Sequence, residues 1–350
     1  MSNTRRLRDL GLSIGSHPTG PSNTIVDVPG VRVGHGDIRG QSPAGKPIHT
    51  GVTAIVPGRG NLYTDPLPAA ADIFNGYGKS AGLVQIQELG QLESPIFLCS
   101  TLNVGKVWDA VAGIILEQNP AAITVNPAVF ECNDARFSDS RGRPVEAAHV
   151  RSAYGAASDL PPPLGGVGAG SGTTAFGYKG GLGSASRVVT TKAFGPVRVG
   201  VLSYNNFGGR LTWRGRELPP PGAGGEHGGS VIVVLATDAP LGPNVLRRLA
   251  RRAWGGIART GSGFNHGSGD IALAFALPSP EGPCPDRLTW RLPASDADAL
   301  FGAVADATEE SVWDAMLLAE DTVGVDGKTC PALRPEALLA AAGDGTQRQK

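Results

Sequence analysis

The junction GGEHGGSVIVVLATDAP (224–240) carries the sharpest chemical possibility in the sequence. A glycine-rich stretch ends in Gly228-Gly229, Ser230 follows, and an apolar run that must be a buried strand begins. A serine hydroxyl in that position can attack the carbonyl of the residue before it. An N→O shift gives an ester, and water releases a new chain that starts at Ser230. Glycine has no Cβ to obstruct the attack and tolerates the strained backbone it requires. The new α-amine would lie within reach of its own hydroxyl, and a reference pKa of about 7.7–8 makes it a usable general base. A Gly-Ser pair before a strand is also an ordinary turn, so the junction alone leaves both readings open.

Other chemistries fail on spacing. GVGAGSG (166–172) is not G-x-G-x-x-G, because Ser171 stands where the third glycine belongs. Gly78-Lys79-Ser80 would complete a phosphate-binding loop only with glycine at 73, where Ile73 stands. No G-x-S-x-G elbow exists. The six histidines show neither H-x-x-x-H nor H-E-x-x-H spacing, so no metal is expected. Cys99, Cys132, Cys284 and Cys330 lie far apart without C-x-x-C, which reads as reduced, packed thiols of a cytoplasmic protein. No apolar run reaches membrane-spanning length and no leader is visible at the start. Lys+Arg and Asp+Glu are both 31, a balance that argues against nucleic acid as a partner. Arg5, Arg6 and Arg8 form too short a cluster to change this, and Arg247, Arg248, Arg251 and Arg252 read as a solvated helix face.

The elements that must position Ser230 follow from periodicity. Residues 22–35 alternate around Pro29-Gly30 and read as a hairpin, and 71–90 starts helix-like before Gly76 and Gly78 interrupt it. Strands are expected at 51–57, 94–101, 121–131, 230–240 and 270–278, with two more in 186–208. Helices are expected at 104–120, 242–262 and 295–321, the last opened by a capping box of Ser295 and Asp298. Residues 132–164 read as loop and short helix, and 216–229 as a long Pro/Gly loop. With 51 glycines and 28 prolines in 350 residues the chain is no helical bundle, and with 41% hydrophobic residues it is not disordered. Strands and helices alternate without a linker, which predicts an α/β (α+β) protein, residues 1–350 forming one domain with a layered sheet and helices outside.

The match of these segments to one family is ordered along the chain. NTIVDVPGVRVGH (23–35), STLNVGKVWDAV (100–111), VNPAVFECND (125–134), GVGAGSGTTAFGYKGGLGSASR (166–187), VGVLSYNNFGG (199–209), GSVIVVLATDAPL (229–241), IARTGS (257–262) and ATEESVWDAML (307–317) carry it. Over about residues 20 to 325 the sequence resembles the L-aminopeptidase/D-amidase-D-esterase and β-peptidyl aminopeptidase family, which cleaves itself at Gly-Ser. The resemblance implies a four-layer αββα sandwich shared with ornithine acetyltransferases, and cleavage between Gly229 and Ser230 into chains 1–229 and 230–350. It implies Ser230 as nucleophile, Ser268 and Asp270 as its supporting pair (relatives carry Glu at the second position), and Asn206 as oxyanion donor, with Asn205 as the adjacent competitor. Asn133 and Lys79 fall at substrate-binding positions. NGYGK (75–79) ends in Lys79 where relatives have an acid, so either recognition of a substrate amine is weakened or the lysine is simply solvated. A family pocket tyrosine has no evident counterpart, since Tyr154 lies outside the matching segments and Phe137 lacks a hydroxyl. The implied activity is removal of N-terminal residues from short peptides, amides or esters, with no metal or organic cofactor, by a homo-oligomer, a tetramer of processed units. Related acyltransferases and oligoamide hydrolases, which use Thr, and an uncleaved binding module are the alternatives.

Overall fold

The first long hairpin forms where a glycine can turn the chain. In the computed structural model, which describes residues 5–58, 60–221, 229–278 and 291–343, β1 (Arg32–Gln41) pairs antiparallel with β2 (Pro47–Val56). Gly45 turns between them at φ +70°. The hairpin expected at 22–35 does not exist. Ile25–Asp27 is a single 3-10 turn instead. The Asp27 carboxylate takes the backbone N–H groups of Ser22 and Thr24 and the hydroxyl of Ser186, so the segment docks onto a distant strand rather than on itself.

Residues 71–90 also depart from expectation. β3 (Leu67–Gly76) is a strand, and helix α1 (Leu83–Leu89) follows only after the Gly76–Gly82 stretch. The Ala-rich start suggested helix, but pairing with a buried neighbour overrides that weak propensity. β4 (Ile96–Ser100), α2 (Val104–Gln118), β5 (Ala128–Cys132) and α3 (Ala147–Gly155) come next. β6 (Gly181–Thr191), β7 (Gly195–Phe207), β8 (Gly229–Thr237), α4 (Pro243–Arg259), β9 (Ser268–Ala276) and α5 (Ala294–Leu317) complete the frame. Helix α5 starts one residue before Ser295, and no side-chain cap bond forms at its start. The expected capping box is therefore absent; the Asp296 carboxylate instead takes the backbone N–H groups of Lys192 and Ala193.

The strands β1 to β9 form two sheets, and Thr212–Trp213 with Arg216–Glu217 and Thr322–Val323 with Thr329–Cys330 form two separate ribbons. One runs β1-β2-β4-β5; the other runs Gln91–Leu92, β3, β9, β8, β7 and the two-residue strands Thr174–Ala175 and Tyr178–Lys179, with β6 also paired to β7. Period-two alternation divides each strand between two cores. In β8, Ile232, Val234 and Ala236 pack between the sheets with Tyr204, Leu273 and Phe130, while Val231, Val233 and Leu235 pack under α4 and α5. A third core joins the smaller sheet to α2 and α3. The layers run α2/α3, small sheet, large sheet, α4/α5, the αββα order the sequence resemblance implied.

Buried charges pin the layers. Glu310 of α5, wholly buried, meets Arg187 of β6 at 2.6 Å and Arg8 at 2.7 Å, and accepts the Asn23 amide. Arg6 reaches Asp314 at 2.8 Å and the carbonyls of Ser22, Asn23 and Ser184. The short N-terminal arginine cluster is thus a structural clamp. On α4, Arg248 and Arg252 lie over the Phe301 ring and Arg251 pairs with Asp72, so that face is only partly solvated. Cys99, Cys132 and Cys330 are free and buried; Cys284 lies outside the described residues. Among the described residues no helix is long and apolar enough to cross a membrane.

Candidate active site

Ser230 is the second residue of β8, where the space between the two sheets opens. Its neighbours are set by register: Asn206 of β7 stands directly across on one side and Gly269 of β9 on the other. Ser230 shares the parity of Ile232 and Val234, and Asn206 that of Tyr204, so both belong to the inter-sheet face. Both line one cavity of about 380 Å³, together with Thr174, Gly229 and Gly267. Tyr77, Lys79, Thr101, Asn133 and Arg136 complete its wall.

The Ser230 hydroxyl donates to the Gly229 carbonyl at 2.7 Å, and its residue is 6% exposed. Gly229 has φ +140°, and a Cβ there would stand 2.2 Å from the Asn206 carbonyl oxygen and 2.6 Å from Phe207 Cα. Only glycine fits before this serine, for both conformation and space. Gly228 lies outside the described residues.

Asn206 is held by its oxygen. Oδ1 accepts the Thr174 backbone N–H at 3.2 Å, which turns the amide NH₂ away from Thr174. Asn205, the competitor, is fully buried; its NH₂ donates to the Ser203 hydroxyl and the Gly181 carbonyl and it does not line the cavity. Alternation along the strand puts Asn206, and not Asn205, on the cavity wall.

On the other flank Ser268 donates to Asp270 Oδ1 at 2.6 Å, and both are buried. Asn75 donates to Asp270 Oδ2 at 2.9 Å. Burial pushes the Asp270 carboxyl above the usual aspartate range, against the opposing pull of Ser268, Asn75 and the Val231 backbone N–H. Under β8, the buried Cys132 thiol donates to the Ser230 carbonyl at 3.5 Å and packs the strand from below.

The structure also gathers residues that sequence reasoning missed. Glu131, buried in β5, accepts the Lys79 backbone N–H at 3.0 Å and the Thr101 hydroxyl, placing a carboxylate one hydrogen bond behind the cavity wall. A lone acid inside the apolar run AVFEC was the signal for it. Tyr77, two residues before Lys79, is the tyrosine of the cavity wall among the described residues. Tyr154 sits on α3 and accepts from Gln118, and Phe137 is buried, so neither reaches the site. Asn133 and Lys79 both line the cavity as expected. The glycine-rich stretch, by contrast, does not crowd around Ser230 alone. Gly183 abuts Ser311 of α5, and Gly168 and Gly172 abut Thr53, His35 and His49 of the small sheet, so these three serve contact between layers, whereas Gly170 and Gly181 meet backbone of the stretch itself.

Comparison with known proteins fits this geometry. The model of peptidase family S58 matches residues 23–330. The chain belongs to peptidase family S58. Two S58-like relatives named β-peptidyl aminopeptidase BapA, from Sphingosinicella microcystinivorans and Sphingosinicella xenopeptidilytica, are each 36% identical over 96% and 92% of this chain and 91% and 87% of their own. Among solved structures, a Burkholderia β-aminopeptidase superposes with TM-score 0.86 at 36% identity, covering 97% of this chain and 99% of that one. The L-aminopeptidase D-Ala-esterase/amidase of Ochrobactrum anthropi, a prototype for the serine aminopeptidases and a variant of the Ntn hydrolase fold, gives 0.84 at 34%, with the same coverage. A Pyrococcus horikoshii protein gives 0.88 at 40%, again over 97% and 99%. This S58 chain therefore shares the Ntn-type sandwich as well as the family sequence.

Proposed function

We propose that this chain is a self-processing aminopeptidase whose nucleophile is Ser230. The observation that carries the reading is the Ser230 hydroxyl 2.7 Å from the Gly229 carbonyl oxygen, with Asn206 across the strand. In the first reaction Ser230 Oγ attacks the Gly229 carbonyl carbon. The Gly229–Ser230 C–N bond breaks and the nitrogen takes the hydroxyl proton, becoming the α-amine. Water then hydrolyses the ester, leaving a Gly229 carboxylate and a free Ser230 hydroxyl.

In turnover the same Oγ attacks the substrate amide carbonyl, and the neutral α-amine of Ser230 takes its proton. The Asn206 NH₂, turned by the Thr174 N–H on its oxygen, donates to the developing oxyanion. The leaving amine departs with the proton, and water releases the acyl group. Ser268, backed by Asp270 and Asn75, orients the α-amine. The buried carboxylates of Glu131 and Asp270 favour a substrate that presents a protonated N-terminal amine. The processed units assemble as a homo-oligomer in this reading, which light scattering of the purified protein tests.

Intact mass spectrometry tests the core claim. Two fragments, 1–229 and 230–350, are expected, with hydrolysis of aminoacyl p-nitroanilides by the processed protein. Ser230→Ala is expected to give one chain and no turnover. A fully active single chain would overturn the proposal.

A further inference from the structure

The Asn206 side chain is oriented by one peptide group. Its Oδ1 accepts the backbone N–H of Thr174 at 3.2 Å. A backbone N–H can only donate, so the atom facing it is the oxygen and the NH₂ points the other way. The same peptide group carries the Thr173 carbonyl at its far end. That carbonyl accepts the Lys179 side chain at 2.9 Å and the Gly180 backbone N–H at 3.0 Å.

Lys179 is wholly buried, and its nitrogen also donates to the carbonyls of Gly170 at 3.0 Å and Gly180 at 3.1 Å. Three carbonyl acceptors match the three hydrogens of an ammonium. Burial pulls that ammonium down to about 7; Arg39 pushes the same way, and Cys330 and Asp134 oppose it. The charged form therefore predominates below that pH. The Lys179 backbone N–H donates to the Pro331 carbonyl at 2.8 Å, which fixes where the side chain starts. A cation on a peptide oxygen draws electron density away from the N–H of the same group, and hydrogen bonds joined in a chain strengthen one another. Here the chain runs from the Lys179 ammonium through the Thr173–Thr174 peptide to the Asn206 amide, whose NH₂ is its free end toward the cavity.

We propose that Lys179 is a positioning residue of the reaction. Through the Thr173–Thr174 peptide it fixes the Asn206 amide and strengthens its NH₂ as a donor to the oxyanion. This rests on Ser230 as nucleophile and Asn206 as oxyanion donor. Lys179 touches neither substrate nor nucleophile, so its effect belongs to the transition state and passes through Asn206 alone.

Lys179→Met tests this on processed full-length protein, with active sites counted by titration and kinetics read below the pH at which Lys179 loses its proton. On an aminoacyl p-nitroanilide kcat is expected to fall about 5–10-fold, with KM within about two-fold. The Ki of a peptide boronate, whose tetrahedral adduct on Ser230 mimics the oxyanion, is expected to rise by the same factor. Added to Asn206→Ala, Lys179→Met is expected to change kcat by less than about two-fold, because the chain then ends on a missing amide. A lysine that merely held the loop would lower the count of active sites and leave kcat and Ki alone. One that acted by another route would lower kcat equally with and without Asn206. Either result overturns the proposal. If Lys179→Met does not fold, Thr174→Pro removes the N–H and keeps the lysine, since Thr173 already has the extended backbone that a following proline requires (φ −103°, ψ 161°). Its kcat is expected to fall at least as far, and an unchanged kcat overturns the proposal. Asn206→Ala with wild-type kcat would sink the oxyanion assignment itself, which separates that failure from a failure confined to Lys179.

Discussion

Two adjacent asparagines of β7 show how one residue of register separates structure from chemistry. Asn205 is consumed by Ser203 and Gly181, whereas Asn206 faces the cavity with its oxygen already occupied. Asn206→Ala is expected to lower kcat by about 10²–10³-fold with a smaller change in KM, because the lost donor acts on charge that develops in the transition state. Steady-state kinetics on processed protein, with the active fraction fixed by active-site titration, checks this; a raised KM with kcat unchanged would mean that Asn206 only binds the ground state. A second buried group behaves differently. Asp134, 1% exposed, has its carboxyl pushed up to about 7 by burial, against help from Thr50 and Ser100. Folded, it binds its proton more tightly than unfolded. Its contribution to stability is therefore full below about pH 4 and is lost as pH rises through about 7. Asp134→Asn cannot ionise. Its unfolding free energy in urea should match the wild type near pH 4 and exceed it by up to about 4 kcal/mol at pH 8. At this scale much was legible in the sequence. Ser230, Asn206, Ser268 and Asp270 were singled out within strand motifs, and the structure sets them on the three neighbouring strands β7, β8 and β9. Glu131, Tyr77 and Thr174 were not legible, because only the pairing of distant segments brings them to one cavity.

Among the elements, the contact of β6 with α5 sets the tightest limit. A Cβ at Gly183 would stand 1.7 Å from the Ser311 carbonyl oxygen, which is helix backbone and cannot swing aside. Gly302, on the same helix, has nothing within 4 Å of its would-be Cβ. Gly183→Ala is expected to cost more than about 3 kcal/mol, and Gly302→Ala to gain about 0.5–1 kcal/mol from helix propensity. Thermal unfolding of the two variants checks the contrast; equal effects would mean that helix and strand are free to separate. The Gly-rich stretch before β6 is fastened by Lys179, wholly buried, whose ammonium donates to the carbonyls of Gly170, Thr173 and Gly180. This loop carries the Thr174 N–H that holds Asn206. Apolar periodicity found β8, β9, α2, α4 and α5, since each has a long buried stripe. It misplaced the first hairpin and read β3 as a helix start. There the deciding contacts, Asp27 to Ser186 and β3 to β9, are made with residues more than a hundred positions away.

Across the whole molecule, the proposed cut falls where it can open the chain without opening the fold. All of β8 but its first residue, and all of β9, lie after the cut, yet they are flanked in the sheet by β7 and β3, which lie before it. The β7–β8 ladder runs from Phe207–Gly229 to Val199–Thr237, so the new N-terminus would begin inside a sheet. Helix α5, also downstream, covers β6 and β7 and is locked to upstream residues by Glu310 with Arg187, Arg8 and Asn23, and by Asp314 with Arg6. Separating the fragments would expose the core under α4 and α5 and leave buried carboxylates unpaired, a cost of roughly 3–5 kcal/mol for one broken buried pair alone. Processed protein is therefore expected to elute from size exclusion as one species containing both fragments, which part only in denaturant. Covalent linkage no longer joins the two chains, so its urea midpoint should rise with protein concentration more steeply than that of uncleaved Ser230→Ala. Fragments that separate on a native column would place the cut, or the strand order around Ser230, elsewhere.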